Sequence, residues 1–374
     1  MSTVKCPYCW VAHRPGDLHR RCGERCAKKG DTFPSRELRN DRCPHGEPPQ
    51  ARRACPACGR DLLREYIDSG GRNIAVIGSA DSGKSTWVGV LVHQFQRGQV
   101  SERFTGMSLE LLGEDSRHRY ERDFEEPLFR EGRSVVQTRS ALVDTPEPLM
   151  FSLRFPGRAR LRGPSRVTPV VTVFYDTAGE DVARASAMDQ LTSYLDAAEG
   201  IILLLDPLQM PRVRELVGAA RSPGSRSRFT EQLFVVNRLG ELLRERSRDS
   251  VTKRLRTPLA IALTKVDLLR ETFGPESPLR RPSRHVGHYD ENDGVDVHEE
   301  VRGWLGQWYD PALDRSVANT FETYRYFGFS ALGAAPIDDN RLSPTGVHPY
   351  RLEDPMLWLL SRFGVIRTTR TKRR

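Results

Sequence analysis

A chain of 374 residues with 38% hydrophobic content and a formal charge of +9 is long enough for one sizeable domain plus a small one. Its most apolar run, Ile201-Ile202-Leu203-Leu204-Leu205, falls far short of the roughly 20 residues that cross a bilayer. The N-terminus runs straight into polar residues and cysteines, without the apolar stretch of a secretory signal, so the expectation is a cytoplasmic protein with no membrane span.

The charge is uneven. Residues 1–72 hold 15 basic and 9 acidic groups, and the end from Arg367 adds five basic ones, which leaves the remainder, 73–366, at −2. Seven thiolates around two Zn²⁺ would lower the first region further. Only the segment 367–374, a basic tail, is undiluted, and such a run is by default a solvated, mobile end. Nucleic acid is therefore not favoured as the main partner.

All seven cysteines lie before residue 59. Cys6-Pro7-Tyr8-Cys9 and Cys55-Pro56-Ala57-Cys58 are two Cys-Pro-x-Cys knuckles, Cys22 and Cys26 form a third pair, and Cys43 is followed by His45. A cytosolic chain rarely keeps disulfides, so the clustering points to metal, and tetrahedral sulfur and imidazole sets suit Zn²⁺. Eight ligands fill two sites. A nested pairing groups Cys6, Cys9, Cys55 and Cys58 in one and Cys22, Cys26, Cys43 and His45 in the other. A cross-braced pairing counts equally well, and His13 and His19 compete with His45. Tyr8 and Trp10 would cover a core-poor metal module spanning 1–72.

From residue 73 onward strand-like and helix-like segments alternate, which predicts a mostly parallel sheet with helices on both faces. The run Asn73-Ile74-Ala75-Val76-Ile77 is followed by Gly78-Ser79-Ala80-Asp81-Ser82-Gly83-Lys84-Ser85, the G-x-x-x-x-G-K-S pattern, with a helix opening at Thr86. Glycines at this spacing let backbone N–H groups wrap a phosphate. Lys84 adds a point charge for the β- and γ-phosphates, and the Ser85 hydroxyl can ligate Mg²⁺. The stretch to Asp176 is long, with a charged helix predicted over Glu114–Glu126, a polar loop at Arg133–Ser140 and a strand at Leu149–Phe155. A second strand, Val170–Tyr175, delivers Asp176-Thr177-Ala178-Gly179-Glu180, the D-x-x-G pattern, in which Asp176 suits Mg²⁺ through water and Gly179 an N–H to the γ-phosphate.

A helix over Ala187–Ala198 leads to the strand Ile201–Leu205, which ends at Asp206-Pro207, and an amphipathic helix spans Glu231–Arg246. The strand Leu259–Leu263 delivers Thr264-Lys265-Val266-Asp267, similar to the [N/T]-K-x-D motif. There the Asp267 carboxylate accepts from guanine N1 and N2 while the Lys265 stem lies over the base. Thr272–Val295, rich in Pro, Arg, His and Asp, reads as a surface insertion. Tyr326-Phe327-Gly328-Phe329 then precedes Ser330-Ala331-Leu332, which resembles the element whose backbone meets guanine O6, and Asp354-Pro355 caps and starts a last helix.

Four such motifs in this order, each closing a strand-like run, resemble a Ras-like P-loop GTPase of the translation-factor-related (TRAFAC) class over about residues 73 to 366, with insertions near 100–145 and 272–295. With the zinc-ribbon-like module ahead of it, the layout is similar to the double-GTPase families of bacterial conflict systems. The resemblance implies a GTP-binding switch with Mg²⁺-dependent hydrolysis to GDP and phosphate, acting on a protein partner. It implies a switch threonine ahead of Leu149, for which Thr138 is favoured over Thr145. It also places Glu180 where Ras-like enzymes carry the water-orienting glutamine, so slow turnover is expected, with Arg184 either an internal arginine or a surface residue. Asp81 stands where relatives hold an oxygen that could bind K⁺ between the α- and γ-phosphates, or simply cap the loop. The rival readings are a zinc-module nucleic-acid adaptor with structural nucleotide and a P-loop ATP-dependent enzyme, the latter opposed by Thr264-Lys265-Val266-Asp267.

Overall fold

The computed structural model of the chain describes residues 3–69, 72–78, 81–135, 148–155, 168–176, 195, 197–218, 232–246, 253–338 and 340–370. Its centre is a seven-stranded sheet. In chain order the main elements are β1 (Arg72–Gly78), α1 (Lys84–Arg97), β2 (Ser108–Leu111), β3 (Leu149–Phe155), β4 (Thr168–Asp176), β5 (Gly200–Leu205), α2 (Gln232–Arg246), β6 (Leu259–Leu263), α3 (Glu291–Trp308), α4 (Pro311–Thr320), β7 (Tyr324–Gly328) and α5 (Asp354–Arg362). The spatial order is β7-β6-β5-β1-β4-β3-β2. The five strands from β7 to β4 run parallel, and β3 and β2 extend the sheet antiparallel at one edge.

Strands covered on both faces need near-continuous apolar sequence, and β5 and β6 are buried along their whole lengths. The two-residue period divides their side chains between two cores. Ala75, Ile77, Ile201, Leu203 and Ile261 face α2 and α3 through Val236, Leu239, Val297 and Val301. Ile74, Val76, Ile202, Leu204 and Ala262 face α1 and α5 through Trp87, Leu91, Met356 and Leu360.

The expected helix at Glu114–Glu126 runs further. It is α-helical over Glu114–Tyr120 and continues as a wider π-type helix over Glu121–Arg130, which accommodates Pro127, a residue without an N–H to donate. Gly89 of α1 lets this helix close in, because a Cβ there would meet the Phe124 ring at 2.7 Å.

Thr272–Val295, expected as a surface insertion, is instead woven into the fold. Phe273, Leu279, His285 and Tyr289 are buried, and α3 begins inside the segment, with the Asp290 side chain accepting from the N–H groups of Asn292 and Asp293. The basic end is not wholly loose either. Thr368–Thr369 pairs in parallel with Tyr289–Asp290, and Tyr289 N donates to Arg367 O at 2.7 Å. Of the expected helix over Ala187–Ala198, only Leu195 and Ala197 among its helical positions fall within the described residues. Asp354 opens α5 without capping it, since Glu353 holds the N-cap position and makes no side-chain cap bond.

Ahead of β1 lies a four-stranded antiparallel sheet ordered Thr32–Pro34, His19–Cys22, Pro49–Ala54, Asp61–Leu62, together with a hairpin of Val4–Lys5 and Ala12–His13. It is fastened to the larger sheet. Val4 joins the same core as Tyr66, Leu112 and Met150, and Tyr66 Oη donates to Lys5 O at 2.6 Å and lies 3.3 Å from Asn73 Oδ1 on β1. Tyr66→Phe should leave the partly buried Lys5 carbonyl without this donor and lower the unfolding free energy by about 1–2 kcal/mol, read by denaturant titration.

Candidate functional site

The parallel strands all end at one edge of the sheet, and their register sets which loops meet there. Gly78 stands opposite Leu204, Asp176 opposite Val76, Leu205 opposite Leu263, and Leu263 opposite Gly328. The loop after β1, the start of α1, the end of β4, Thr264–Asp267 and Ser330–Leu332 therefore share one rim, the crevice in which open parallel α/β sheets bind ligands.

The loop after β1 is built on backbone shapes that most side chains avoid. Gly83 has φ +81° and Asp81 φ +60°. Gly78 has no space for a Cβ, which would collide with Ser82 Oγ and lie 2.7 Å from Leu204 O. Lys84 is buried, and its Nζ donates back across the loop to Gly78 O at 3.0 Å. Helix α1 starts at Lys84 with no side-chain cap from Gly83, and Ser85 and Thr86 sit partly exposed on its first turn. Ser82 Oγ is buried without a hydrogen-bond partner. An ammonium folded back onto Gly78 O and a 14-residue helix that begins at the same loop are features suited to receiving a phosphate.

At the other end of the rim, two loops are stitched together. Thr264 N donates to Leu205 O at 2.9 Å, and Val266 N donates to Phe329 O at 3.2 Å. Ser330 N donates to Tyr350 O at 3.0 Å, and Gly333 N donates to Ser330 Oγ at 2.8 Å. Ala331 and Leu332 pack partly buried against the core, and His348 N donates to Leu332 O at 2.9 Å. Burial pushes the Asp267 carboxyl above its ordinary range, while a hydrogen bond from the Ser330 side chain works against the rise. Lys265 has φ +54°, and its Nζ lies 2.8 Å from Oδ2 of buried Asp206. Asp206, in turn, accepts from Leu208 N through its other oxygen at 2.9 Å.

Sequence reasoning missed Asp206. Its signal was available: an Asp closing the strand beside the one that delivers Lys265. Asp176 closes β4, although its side chain lies outside the description. Thr138, Thr145, Gly179, Glu180 and Arg184 lie outside the described residues.

The segment 350–354 buttresses this rim. Tyr350 N donates to Ser330 O at 2.8 Å, and Trp87 Nε1 of α1 donates to Leu352 O at 3.0 Å. Arg351, buried with φ +50°, donates to Asp293 at 2.6 and 3.0 Å and lies 3.4 Å from Asp354. His285, Asp293 and Asp354 are close enough to share an ion, but the Arg351 guanidinium already compensates the carboxylates. Burial pushes His285 down to about 4 and Asp354 up to about 6, so the imidazole is neutral at physiological pH. This is a buried ion network holding the loop.

The cysteines form two groups with nested pairing. Cys6 Sγ and Cys58 Sγ are 3.7 Å apart and Cys9 and Cys55 3.6 Å, while Cys26 and Cys43 are 3.8 Å apart and Cys22 Sγ is 3.6 Å from His45 Nδ1. Tetrahedral Zn²⁺ with Zn–S near 2.3 Å and Zn–N near 2.0–2.1 Å requires about 3.8 Å between sulfurs and about 3.6 Å from sulfur to nitrogen. The spacing fits, and within each group the ligand atoms lie within 4.8 Å of one another. His13 Nε2 stands 3.3 Å from Cys55 Sγ, beside the first group.

Elemental analysis should find two zinc per chain. Cys6→Ser or chelation should unfold the N-terminal sheet, because such sites supply on the order of 10 kcal/mol. The Tyr66 contacts should carry part of that loss into the larger sheet as a lowered melting temperature.

Among the described residues no helix is long and apolar enough to cross a membrane. A Mycolicibacterium smegmatis protein named for ESX-1 scaffolding and assembly, SaeC, is 28% identical over 331 residues, which cover 83% of this chain and 80% of that protein. Similar solved structures include the Saccharomyces cerevisiae Ski7 GTPase-like domain bound to GDP and inorganic phosphate. It is 16% identical, with a TM-score of 0.30 over 79% of this chain and 51% of that one. Another is the signal recognition particle receptor SRb–GTP/SRX complex from Chaetomium thermophilum, 14% identical, with a TM-score of 0.30 over 71% of this chain and 93% of that one. Both superpose loosely, and the chain spans about half the length of the Ski7 structure. The profile of Double-GTPase 2 matches residues 72–294, the stretch that carries the phosphate loop, Asp206 and Thr264–Asp267, and the chain belongs to that family.

Proposed function

We propose that this chain is a cytoplasmic GTP-binding switch with slow, Mg²⁺-dependent hydrolysis that regulates a protein partner. The observation that carries the reading is the placement of Lys84 and Asp267 on one rim, with Ser330 and the Lys265–Asp206 pair fixing the base-reading end. In this reading residues 1–72 form a zinc-bearing recognition arm, 73–366 the nucleotide domain and 367–374 an accessory basic end. The relative named for scaffolding and assembly supports a protein partner.

Lys84 would leave Gly78 O for the β- and γ-phosphates, while the loop from Gly78 to Gly83 and the first N–H groups of α1 hold the phosphate chain. Ser85 and Asp176 would hold Mg²⁺, which would neutralise phosphate charge. Both lie at the rim, since β4 ends beside β1 in parallel register. Asp267 would accept from guanine N1 and N2, Lys265 would cover the base, and the Ser330–Leu332 backbone would meet O6. Thr138 and Gly179 would close over the γ-phosphate and release after hydrolysis, with Glu180 orienting water less well than an amide would.

GTP should bind at least ~100-fold more tightly than ATP, because adenine leaves the half-buried carboxylate without donors. Asp267→Asn should shift preference toward xanthine nucleotides, and Lys84→Ala should abolish triphosphate binding. Equal affinity of the native protein for ATP and GTP would overturn the guanine assignment.

Only the ionised carboxylate accepts both guanine donors. Because burial raises Asp267 above its ordinary 3.8, guanine affinity should decline on acidification before an exposed aspartate would titrate, as read by fluorescent-nucleotide titration against pH. Asp81, exposed in the left-handed region of the loop, is proposed to hold K⁺, whose charge would offset negative charge that develops in phosphoryl transfer. Turnover should then be faster in K⁺ than in Na⁺ at fixed ionic strength, and Asp81→Ala should remove the difference while sparing GTP affinity. Identical rates in the two salts would leave Asp81 a loop cap.

A further inference from the structure

Between the N-terminal sheet and the larger sheet lies a cleft of about 1290 Å³, away from the nucleotide rim. It exceeds the roughly 300–1,000 Å³ of small-molecule pockets and has the size for a chain segment. One wall is arginine-rich. Arg20 and Arg53 are direct partners across antiparallel strands, so two guanidinium groups stem from the same face of the sheet at adjacent positions, an arrangement that costs stability.

Their neighbour Arg21 shows what a satisfied arginine looks like here: it bonds Asp61 Oδ1 at 2.9 Å and Gly59 O at 2.7 Å. Arg20, by contrast, keeps a buried Nε with no hydrogen-bond partner. Arg53 donates to the Pro15 carbonyl at 2.9 Å, and Asp68 is the acidic group near it among the described residues. Arg52, 3.9 Å from Asp61, and Arg60, over the Tyr8 ring at 4.9 Å, also line the cleft.

The facing wall differs. Glu114 and Asp115, at the start of the helix after β2, bring carboxylates to it beside Arg117; Asp61 and Asp68 line the cleft as well, and Leu63 and Ile67 add partly buried apolar surface. A nucleic-acid backbone, with one negative charge at every step, would meet repulsion along that side. A peptide can instead confine its carboxylates to the Arg20–Arg53 pair, away from Asp61 and Asp68, and lay apolar side chains on Leu63 and Ile67.

We propose that this cleft is a docking site for an acidic segment of a partner protein, with the Arg20–Arg53 pair as a bidentate carboxylate receptor at its centre. The site does not depend on which nucleotide occupies the rim.

The test uses the full-length, zinc-loaded protein and fluorescence anisotropy with a labelled peptide of repeated Glu-Leu-Glu-Ala. Controls are the same repeat with Lys for Glu and a labelled oligouridylate. The acidic peptide should bind, and the Arg20→Gln/Arg53→Gln double variant should weaken it by about tenfold or more, with zinc content and fluorescent-GTP binding unchanged. Exposed Arg52→Gln should weaken it about two- to threefold and serves as the second variant if the double variant loses zinc. Arg20→Gln alone, tested without peptide, should raise the melting temperature, because it removes a like-charge pair; a purely structural arginine would lower it. Absence of peptide binding, tighter binding of oligouridylate, or undiminished binding by the arginine variants would each overturn the proposal.

Discussion

Parallel register is the constraint on which the rest of this molecule depends. Five strands pointing the same way must end on the same edge, and the residue-by-residue pairing of β1 with β4 and β5, and of β6 with β5 and β7, leaves their loops no freedom to lie elsewhere. The closeness of Gly78 to Leu204 is one expression of this. The phosphate loop turns directly off a strand wedged between two others, so even one methyl group would have to displace backbone. The long apolar runs of β5 and β6 follow from the same demand, since a sheet roofed by helices on both sides leaves no face for polar residues.

Rigidity at the Thr264–Asp267 end of the rim comes from charge buried in pairs. Arg351 would be costly in the interior if it stood alone, and Asp293 and Asp354 equally so; together they fix the path of residues 350–354. That short path touches Ser330 on one side and, through Leu352, Trp87 of α1 on the other. The two ends of the nucleotide rim are thus joined behind the sheet as well as across it. The N-terminal sheet is tied in through Tyr66, which touches Lys5 and the β1 residue Asn73.

How much of this could be read in the residues follows from how local each cause is. The phosphate loop, Thr264–Asp267 and Ser330–Leu332 are legible because their chemistry is written in consecutive residues at the ends of apolar runs. The eight candidate metal ligands stand out by type and spacing, but their grouping does not, because it depends on strand pairing between residues some fifty positions apart. Thr272–Val295 misleads for a physical reason. Its composition suggests solvent, yet Asp293 is neutralised by Arg284 and Arg351, and Tyr289 is buried beside His285. Asp206 escaped notice because an Asp-Pro after a strand also reads as an ordinary turn; only the neighbouring strand shows that a lysine reaches it. The extra strand β2 lay hidden in a stretch whose four residues, Ser-Leu-Glu-Leu, are too short to stand out from a loop.

The nesting of the cysteine groups bears on the order in which the chain can fold during synthesis. The inner group closes a loop of 17 residues between Cys26 and Cys43, whereas the outer one closes separations of 46 and 52 residues. Loop closure costs entropy that grows with length, so a metal at the inner group would come first, and once bound it would shorten the effective loop left for the outer. Both can be complete before β1 has left the ribosome. The first strand of the large sheet then emerges beside a finished surface that already carries Val4 and the Lys5 carbonyl, a template waiting for Tyr66 and Asn73.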